Sequence, residues 1–80
     1  MTSLIIKQCK ELGLVVGDTI VGREIGGFGW IETRLTLLWI GAEVAVWSEQ
    51  GRNEHEPEWG SSRESTSWDL NWRKWSKEDK

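Results

Sequence analysis

Near the end of the chain, basic and aromatic side chains alternate in an order that suits a flat anionic ligand. The segment is Trp72-Arg73-Lys74-Trp75. An indole face can stack on a nucleobase for about 1–3 kcal/mol, while a guanidinium or ammonium group meets phosphate. Trp59 stands alone in a polar stretch and could close over such a ligand. The predicted ligand-binding residues are therefore Trp59, Trp72, Arg73, Lys74 and Trp75.

The tryptophan content supports a binding role but leaves an alternative open. Seven of the 80 residues are tryptophan and none is tyrosine. A chain this short cannot easily bury seven indoles, so we expect some at a ligand or partner surface. In the alternative interpretation, Trp68 and Trp72 belong to the core and Trp59 pins its own loop. The basic residues Arg73, Lys74 and Lys77 would then form a solvated face.

Residues suited to catalysis or metal binding are few. His55 is the only histidine and Cys9 the only cysteine. A single imidazole without a second His or Cys makes a poor zinc site, and no Ser-His-Asp or Cys-His arrangement can be placed. The glycine-rich residues 22–29 lack the Gly-Lys-Ser/Thr ending of a phosphate loop. We therefore predict no catalytic residues, no metal, no cofactor and no enzymatic activity.

Composition and charge indicate one small soluble domain over residues 1–80. The net charge of −3 disfavours bulk attraction to nucleic acid or to an anionic membrane. A lone cysteine permits no intrachain disulfide and indicates a reducing cytoplasm, with Cys9 as a small core hydrophobe. No segment has the length of a membrane span. Because a core of this size gives only about 3–5 kcal/mol of stability, we expect a homo-oligomer.

The first part of the chain predicts a short helix. Thr2 or Ser3 can cap it, and Ile5, Cys9 and Leu12 recur on one helical face. Gly13 stands where a helix commonly stops in the left-handed conformation.

Strands dominate the rest of the prediction. Residues 19–24 form a first strand, and residues 30–40 a long second strand with Leu35, Leu37 and Trp39 on one face. Gly41 and Ala42 fit a type II′ turn into a strand over residues 43–48. A long polar loop is expected over residues 48–66 and a last strand over 67–73. The predicted fold is α+β or mostly β: a short N-terminal helix followed by a small curled antiparallel sheet of about four strands, with barrel-like closure as one option.

Several segments resemble small proteins encoded by bacteriophages and prophages. The resemblance lies in residues 12–24 (LGLVVGDTIVGRE), 34–41 (RLTLLWIG), 44–47 (VAVW), 57–59 (PEW) and 64–70 (ESTSWDL). It implies an accessory protein used in the cytoplasm of an infected bacterium. Because many such proteins block a host system, inhibition of a bacterial defence is the expected class of activity.

Three functions follow from these observations. We expect first a non-enzymatic phage accessory protein that counters a defence system by sequestering a nucleotide-like signalling ligand as an oligomer. The second is a protein–protein inhibitor of a host or defence protein, in which the acidic residues 43–58 meet a basic surface and Trp59 acts as an anchor. The third is single-stranded nucleic-acid binding through the same tryptophans, which the acidic balance disfavours.

Overall fold

A computed structural model describes residues 3–78 as one helix and one antiparallel sheet. The elements are α1 (Leu4–Glu11), β1 (Thr19–Gly26), β2 (Gly29–Ile40), β3 (Ala45–Asn53), β4 (Arg63–Ser67) and β5 (Trp75–Lys77). The strand order is β4-β3-β2-β1-β5. The predicted mostly-β fold with a short N-terminal helix is confirmed. The sheet has five strands, and it stays open, with β4 and β5 at its edges.

Helix α1 begins and ends as its sequence predicts. The Ser3 hydroxyl accepts a hydrogen bond from the Ile6 backbone N–H at 3.5 Å, whereas Thr2 lies outside the described residues. Gly13 has a φ of 67°, and the N–H groups of Gly13 and Leu14 donate to carbonyls of the last helical turn. This Schellman ending satisfies carbonyls that would otherwise lack partners. With its eight residues, α1 is the only helix between residues 3 and 78 and is too short to span a membrane.

A β-bulge interrupts the alternation of β2 near its end. Leu37 pairs with Trp47, but the next pair is Trp39 with Val46, so Leu38 is an extra residue. The extra residue reverses which face the following side chains occupy. The prediction that Trp39 shares the face of Leu37 is therefore wrong, and Trp39 is exposed.

The turn after β2 also differs from its prediction. Ile40 pairs with Ala45, and the Gly41 N–H donates to the Val44 carbonyl at 2.8 Å, so four residues connect the strands. A type II′ turn requires positive φ at its first central residue, and Gly41 does not have it. A Cβ atom on Gly41 would instead overlap the Trp39 ring. Close approach of this ring explains the glycine, and the strand begins at Ala45 rather than at residue 43.

The polar segment predicted as a loop over residues 48–66 is strand at both of its ends. Strand β3 continues to Asn53 and β4 starts at Arg63, which leaves residues 54–62 as the connection. Polar pairs between neighbouring strands replace apolar alternation here; Arg34 bonds Gln50, and Arg52 bonds Glu32 at 2.7 Å. Such pairs stabilise a sheet without leaving a hydrophobic period in the sequence.

The strand predicted over residues 67–73 is also wrong. Residues 68–74 form turns between β4 and β5. The Asp69 carboxylate accepts a hydrogen bond from the Asn71 N–H at 3.2 Å, which is the local bonding of an Asx turn. The Leu70 N–H donates to the side chain of Gln8 in the helix. The side chains of Asp69 and Gln8 therefore accept the backbone N–H groups that would otherwise pair with a neighbouring strand.

The core lies on one side of the sheet, which we call the covered face. Helix α1 and residues 68–75 pack over this face, and the buried apolar residues are Ile5, Cys9, Ile20, Leu35, Leu37, Ala45, Trp47 and Leu70. The Trp47 indole N–H, fully buried, donates to the Ser67 hydroxyl at 2.8 Å. The opposite side carries Arg23, Arg34 and Arg52, and we call it the arginine face.

Candidate ligand-binding site

Trp75 packs inward and supports its neighbour Trp72. It pairs with Gly22 across β1 and β5, where a Cβ atom on Gly22 would lie 2.8 Å from the Trp75 ring. The Trp75 indole N–H donates to the Leu70 carbonyl at 3.1 Å. The rings of Trp72 and Trp75 meet edge to face, with centroids 4.9 Å apart. Trp75 therefore positions the Trp72 ring and is itself only half-exposed.

Arg73 turns towards the sheet rather than towards solvent. Its guanidinium donates to the Thr33 hydroxyl at 2.8 Å and lies 3.4 Å from a carboxylate oxygen of Glu24. Only 12% of the Arg73 side chain is exposed. The neighbouring Lys74 is exposed. The alternating segment thus sends one cation inward, so Arg73 ties the C-terminal segment to the sheet.

Trp59 lies on the arginine face, away from Trp72. The Cζ atoms of Arg34 and Arg52 are 4.4 Å and 4.3 Å from the centroid of its ring. Arg34 precedes Leu35 in β2, and Leu35 faces the core, so the two side chains point to opposite sides of the sheet. The five predicted ligand-binding residues are consequently not brought together. The contacts of Trp59 favour the pinning role for its loop.

A cavity of about 290 Å³ lies on the covered face beside Trp72. Its walls are Leu35, Trp47, Glu49, Ser65, Thr66, Ser67, Trp68, Asp69 and Trp72. Leu35 and Trp47 are buried and form an apolar floor, whereas the Trp68 and Trp72 rings are 70% and 47% exposed. Two exposed indoles beside an apolar floor offer stacking surfaces to a flat ligand.

The polar lining of this cavity consists of two carboxylates and three hydroxyl side chains, and its only charged groups are the carboxylates. Glu49 and Asp69 both line it, and an ion pair of 2.9 Å joins Glu49 to the Arg63 guanidinium. The Arg63 side chain is 78% exposed, which leaves a cation at the rim. The Ser67 hydroxyl already accepts the Trp47 N–H. The charged groups of the lining therefore only accept hydrogen bonds, its hydroxyls can donate or accept, and positive charge lies outside it.

Sequence reasoning missed Trp68 and Glu49 as cavity residues. The sequence pattern predicts Trp68 in the last strand, with a core role as the alternative. The spacing of four residues between Trp68 and Trp72, together with Asp69 and Asn71 as turn formers, is the signal that predicts two rings flanking a turn. Glu49 carried no comparable signal, since its position depends on the pairing of β3 with β4.

A second cavity, of about 500 Å³, lies between the β1–β2 hairpin and the segment after β3. Its lining includes Phe28, Ile31, Asn53 and His55, with Trp30 as its only indole. The Trp30 ring is already in contact with the guanidinium groups of Arg23 and Arg52. The cavity beside Trp72 is therefore the better candidate for a stacked ligand.

The groups with catalytic potential lie apart. Burial raises the pKa of the Cys9 thiol, which disfavours the reactive thiolate. His55 is exposed, and its backbone N–H donates to the Asn53 side chain at 2.8 Å. Between residues 3 and 78, no group of three or more His, Cys, Asp or Glu is placed to hold a metal ion.

Comparison with protein families, with curated proteins and with solved structures finds no match to this chain. The side chains around the cavity must therefore supply the argument for function.

Proposed function

We propose that this protein is a non-enzymatic binding protein that sequesters a nucleotide-like ligand in the cavity between Trp68 and Trp72. The observation that carries the proposal is the pair of exposed rings beside the buried floor of Leu35 and Trp47. Exposed indoles leave apolar area in water, which a stacked base would cover. Base–aromatic stacking contributes about 1–3 kcal/mol per base.

The size of the cavity and the place of Arg63 suggest how a nucleotide would lie. A volume of about 290 Å³ is near the lower end of the range of roughly 300–1,000 Å³ for small-molecule sites. The base would occupy the cavity, and ribose and phosphate would extend past the rim towards Arg63. From two stacked rings and one charge-assisted contact we expect a Kd in the micromolar range. This corresponds to a standard binding free energy on the order of −8 kcal/mol.

The proposed biological role is to remove a nucleotide-like signal of a bacterial defence during phage infection, in the host cytoplasm. It rests on the resemblance of several segments to small phage proteins.

We also propose a homo-oligomer. Val15, Val16, Leu38 and Trp39 support this idea, because all four are exposed, and backbone hydrogen bonds join the loop after α1 to β2 at Leu37. Apolar surface of this kind is commonly covered by a partner.

Native mass spectrometry tests the proposal. The protein would be incubated with a small-molecule extract of bacteria, and its non-covalent adducts compared with those of a Trp68→Ala/Trp72→Ala double variant. We expect an adduct of nucleotide-like mass on the original protein and its loss from the double variant. Phe28→Ala is the matched control, because Phe28 is an exposed aromatic residue that lies outside the wall of this cavity.

Two results would contradict the proposal. One is the lack of any adduct both with the extract and with added nucleoside mono- and diphosphates. The other is equal adduct formation by the original protein and the double variant, provided that circular dichroism shows both to be folded.

A protein–protein inhibitor is the second candidate, and the β1–β2 hairpin favours it. Phe28, at the tip of this hairpin, is 98% exposed, and the nearby Ile25 is exposed as well. An exposed aromatic side chain on a projecting hairpin suits insertion into a partner's pocket, as at interface hot spots. A stable complex with one host protein that Phe28→Asp abolishes would support this candidate. Unchanged complex formation by Phe28→Asp would exclude the hairpin as the contact.

A further inference from the structure

We infer that the cavity selects guanine among the nucleobases, with the Asp69 carboxylate as the specificity-determining group. This inference rests on the proposed function, because it concerns the same cavity. The charged side chains in the lining of this cavity are Glu49 and Asp69. An ionised carboxylate only accepts hydrogen bonds. At these two groups the cavity therefore favours a base edge that presents donors, while the hydroxyls of Ser65, Thr66 and Ser67 can adapt to either kind of edge.

Guanine is the base whose edge fits a carboxylate best. Its N1–H and N2 amino group are two adjacent donors, and the two oxygens of one carboxylate can accept both. Adenine and cytosine place a ring-nitrogen acceptor beside their amino donor, so a carboxylate would face a lone pair. Uracil and thymine place one N–H between two carbonyl oxygens. Leaving such groups unpaired or opposed costs binding free energy.

Asp69 is better placed than Glu49 to contact the base. It lies next to Trp68 in the chain, and both Trp68 and Trp72 share the cavity wall with it. Its Asx-turn bond to the Asn71 N–H, 3.2 Å long, orients the carboxylate. Glu49 is instead neutralised by the Arg63 guanidinium at 2.9 Å, whereas the Asn71 N–H that bonds Asp69 is uncharged. We therefore assign base recognition to Asp69 and the positioning of Arg63 at the rim to Glu49.

An organic cation is the competing occupant, since carboxylates beside indole rings also attract positive charge. The ion pair between Glu49 and Arg63 argues against it, because Arg63 already neutralises one of the two carboxylates. The exposed Arg63 guanidinium would also repel a cation at the rim, whereas it would attract a phosphate.

Isothermal titration calorimetry with GMP, IMP and AMP tests the inference. IMP differs from GMP only in lacking the N2 amino group. We expect IMP to bind roughly 10-fold more weakly than GMP, and AMP about 10- to 100-fold more weakly, by the loss of hydrogen bonds to a charged acceptor. Tetramethylammonium chloride serves as the cationic probe and is expected to bind more weakly than GMP.

Asp69→Asn is the informative variant. Its amide oxygen can still accept the Asn71 N–H and keep the turn, but its amide N–H group would oppose the donors of guanine. We expect GMP affinity to fall about 10- to 100-fold and the preference for GMP over AMP to disappear. Glu56→Gln is the matched control, because Glu56 lies in the connection over residues 54–62 and outside this cavity wall. It should bind GMP as the original protein does.

The outcomes separate this inference from the proposed function. Equal affinities for GMP, IMP and AMP, or an unchanged GMP preference in Asp69→Asn, would overturn the choice of guanine but leave nucleotide sequestration standing. Binding of tetramethylammonium in preference to every nucleotide, or no binding of any nucleotide, would overturn both.

Discussion

On the covered face the buried Trp47 ring packs among aliphatic side chains, whereas on the arginine face the Trp30 and Trp59 rings pack against guanidinium groups. Trp47 is fully buried in the covered face with Leu35 and Leu37 as core neighbours. On the arginine face, by contrast, stacked contacts run from Arg23 through Trp30, Arg52 and Trp59 to Arg34, with distances of 4.3–5.8 Å between Cζ atoms and ring centroids. The same residue type therefore serves two different kinds of packing in one sheet.

This difference indicates that the covered face supplies most of the folding stability and also holds the candidate cavity. Full burial of a large apolar side chain contributes about 1.5–3 kcal/mol, while an exposed cation–π contact contributes about 0.5–1 kcal/mol. The covered face should therefore dominate folding. It is also where apolar walls and exposed rings adjoin, at the cavity beside Trp72. The guanidinium groups of the arginine face already have rings, carboxylates or amides as partners.

The strongest disruption of the covered face should come from Trp47→Ala. The change removes a fully buried indole and leaves the Ser67 hydroxyl without its N–H donor. We expect a loss of about 3–5 kcal/mol in the free energy of unfolding, enough to unfold a domain of this size. Far-UV circular dichroism during guanidinium titration measures it. A loss below about 1 kcal/mol would contradict the assignment of Trp47 to the core.

A smaller effect is expected where the C-terminal segment crosses β1. In Gly22→Ala, the added Cβ would lie 2.8 Å from the Trp75 ring and 3.1 Å from the Arg73 Cβ atom. Because the ring packs against the core, we expect a loss of about 1–3 kcal/mol in stability. Gly26→Ala in the same strand meets no atom within 4 Å and should change stability by less than about 0.5 kcal/mol. Equal thermal midpoints for the two variants would refute this packing.

On the arginine face, Trp59→Ala should lower the free energy of unfolding by only about 1–2 kcal/mol. The indole stacks on two guanidinium groups at partly exposed positions, and each contact contributes about 0.5–1 kcal/mol. The urea denaturation midpoint, compared with that of Trp47→Ala, gives the ranking of the two faces. The comparison fails if Trp59→Ala is the more destabilising change.

The smallest effect is the coupling between Trp59 and Arg34. A double-mutant cycle with Trp59→Ala and Arg34→Ala should give a coupling free energy of about 0.5–1 kcal/mol. The cycle of Trp59→Ala with Arg23→Ala is its control, because the Arg23 guanidinium contacts the Trp30 ring, 5.0 Å from its centroid. That control should be additive within roughly 0.5 kcal/mol. Equal couplings in both cycles would show that Trp59 has no specific contact with Arg34.

Local sequence signals predicted the first half of the fold well. The helix ends at Gly13 because only a residue that tolerates positive φ fits that position, and this preference is visible in the chain. The long strand β2 carries Ile31, Leu35 and Leu37 on one face, with Thr33 as the polar residue among them. The second half was predicted poorly, because β3 and β4 are joined by polar pairs such as Glu49 with Arg63. These pairs form only after the register is set.

The candidate site was predicted only in part. Trp72 lies in the cavity wall, but Arg73 and Trp75 turn inward and Trp59 is on the other side of the sheet. Alternating basic and aromatic residues carry no information on which side chain turns inward. That choice depends on the Thr33 hydroxyl, which accepts a hydrogen bond from the Arg73 guanidinium, and on the Glu24 carboxylate, which forms an ion pair with it. Both residues lie on strands distant in sequence.

By itself, the sequence determined the short helix, the long central strand, the burial of Cys9 and a content of tryptophan too high for the core alone. Each follows from local propensity, from a period along the chain or from composition. The tertiary structure alone decided which tryptophans are exposed, which arginines face solvent, and that Trp68, Trp72, Glu49 and Asp69 surround one cavity. These features depend on strand register and on the bulge at Leu38, and contacts between distant residues select both.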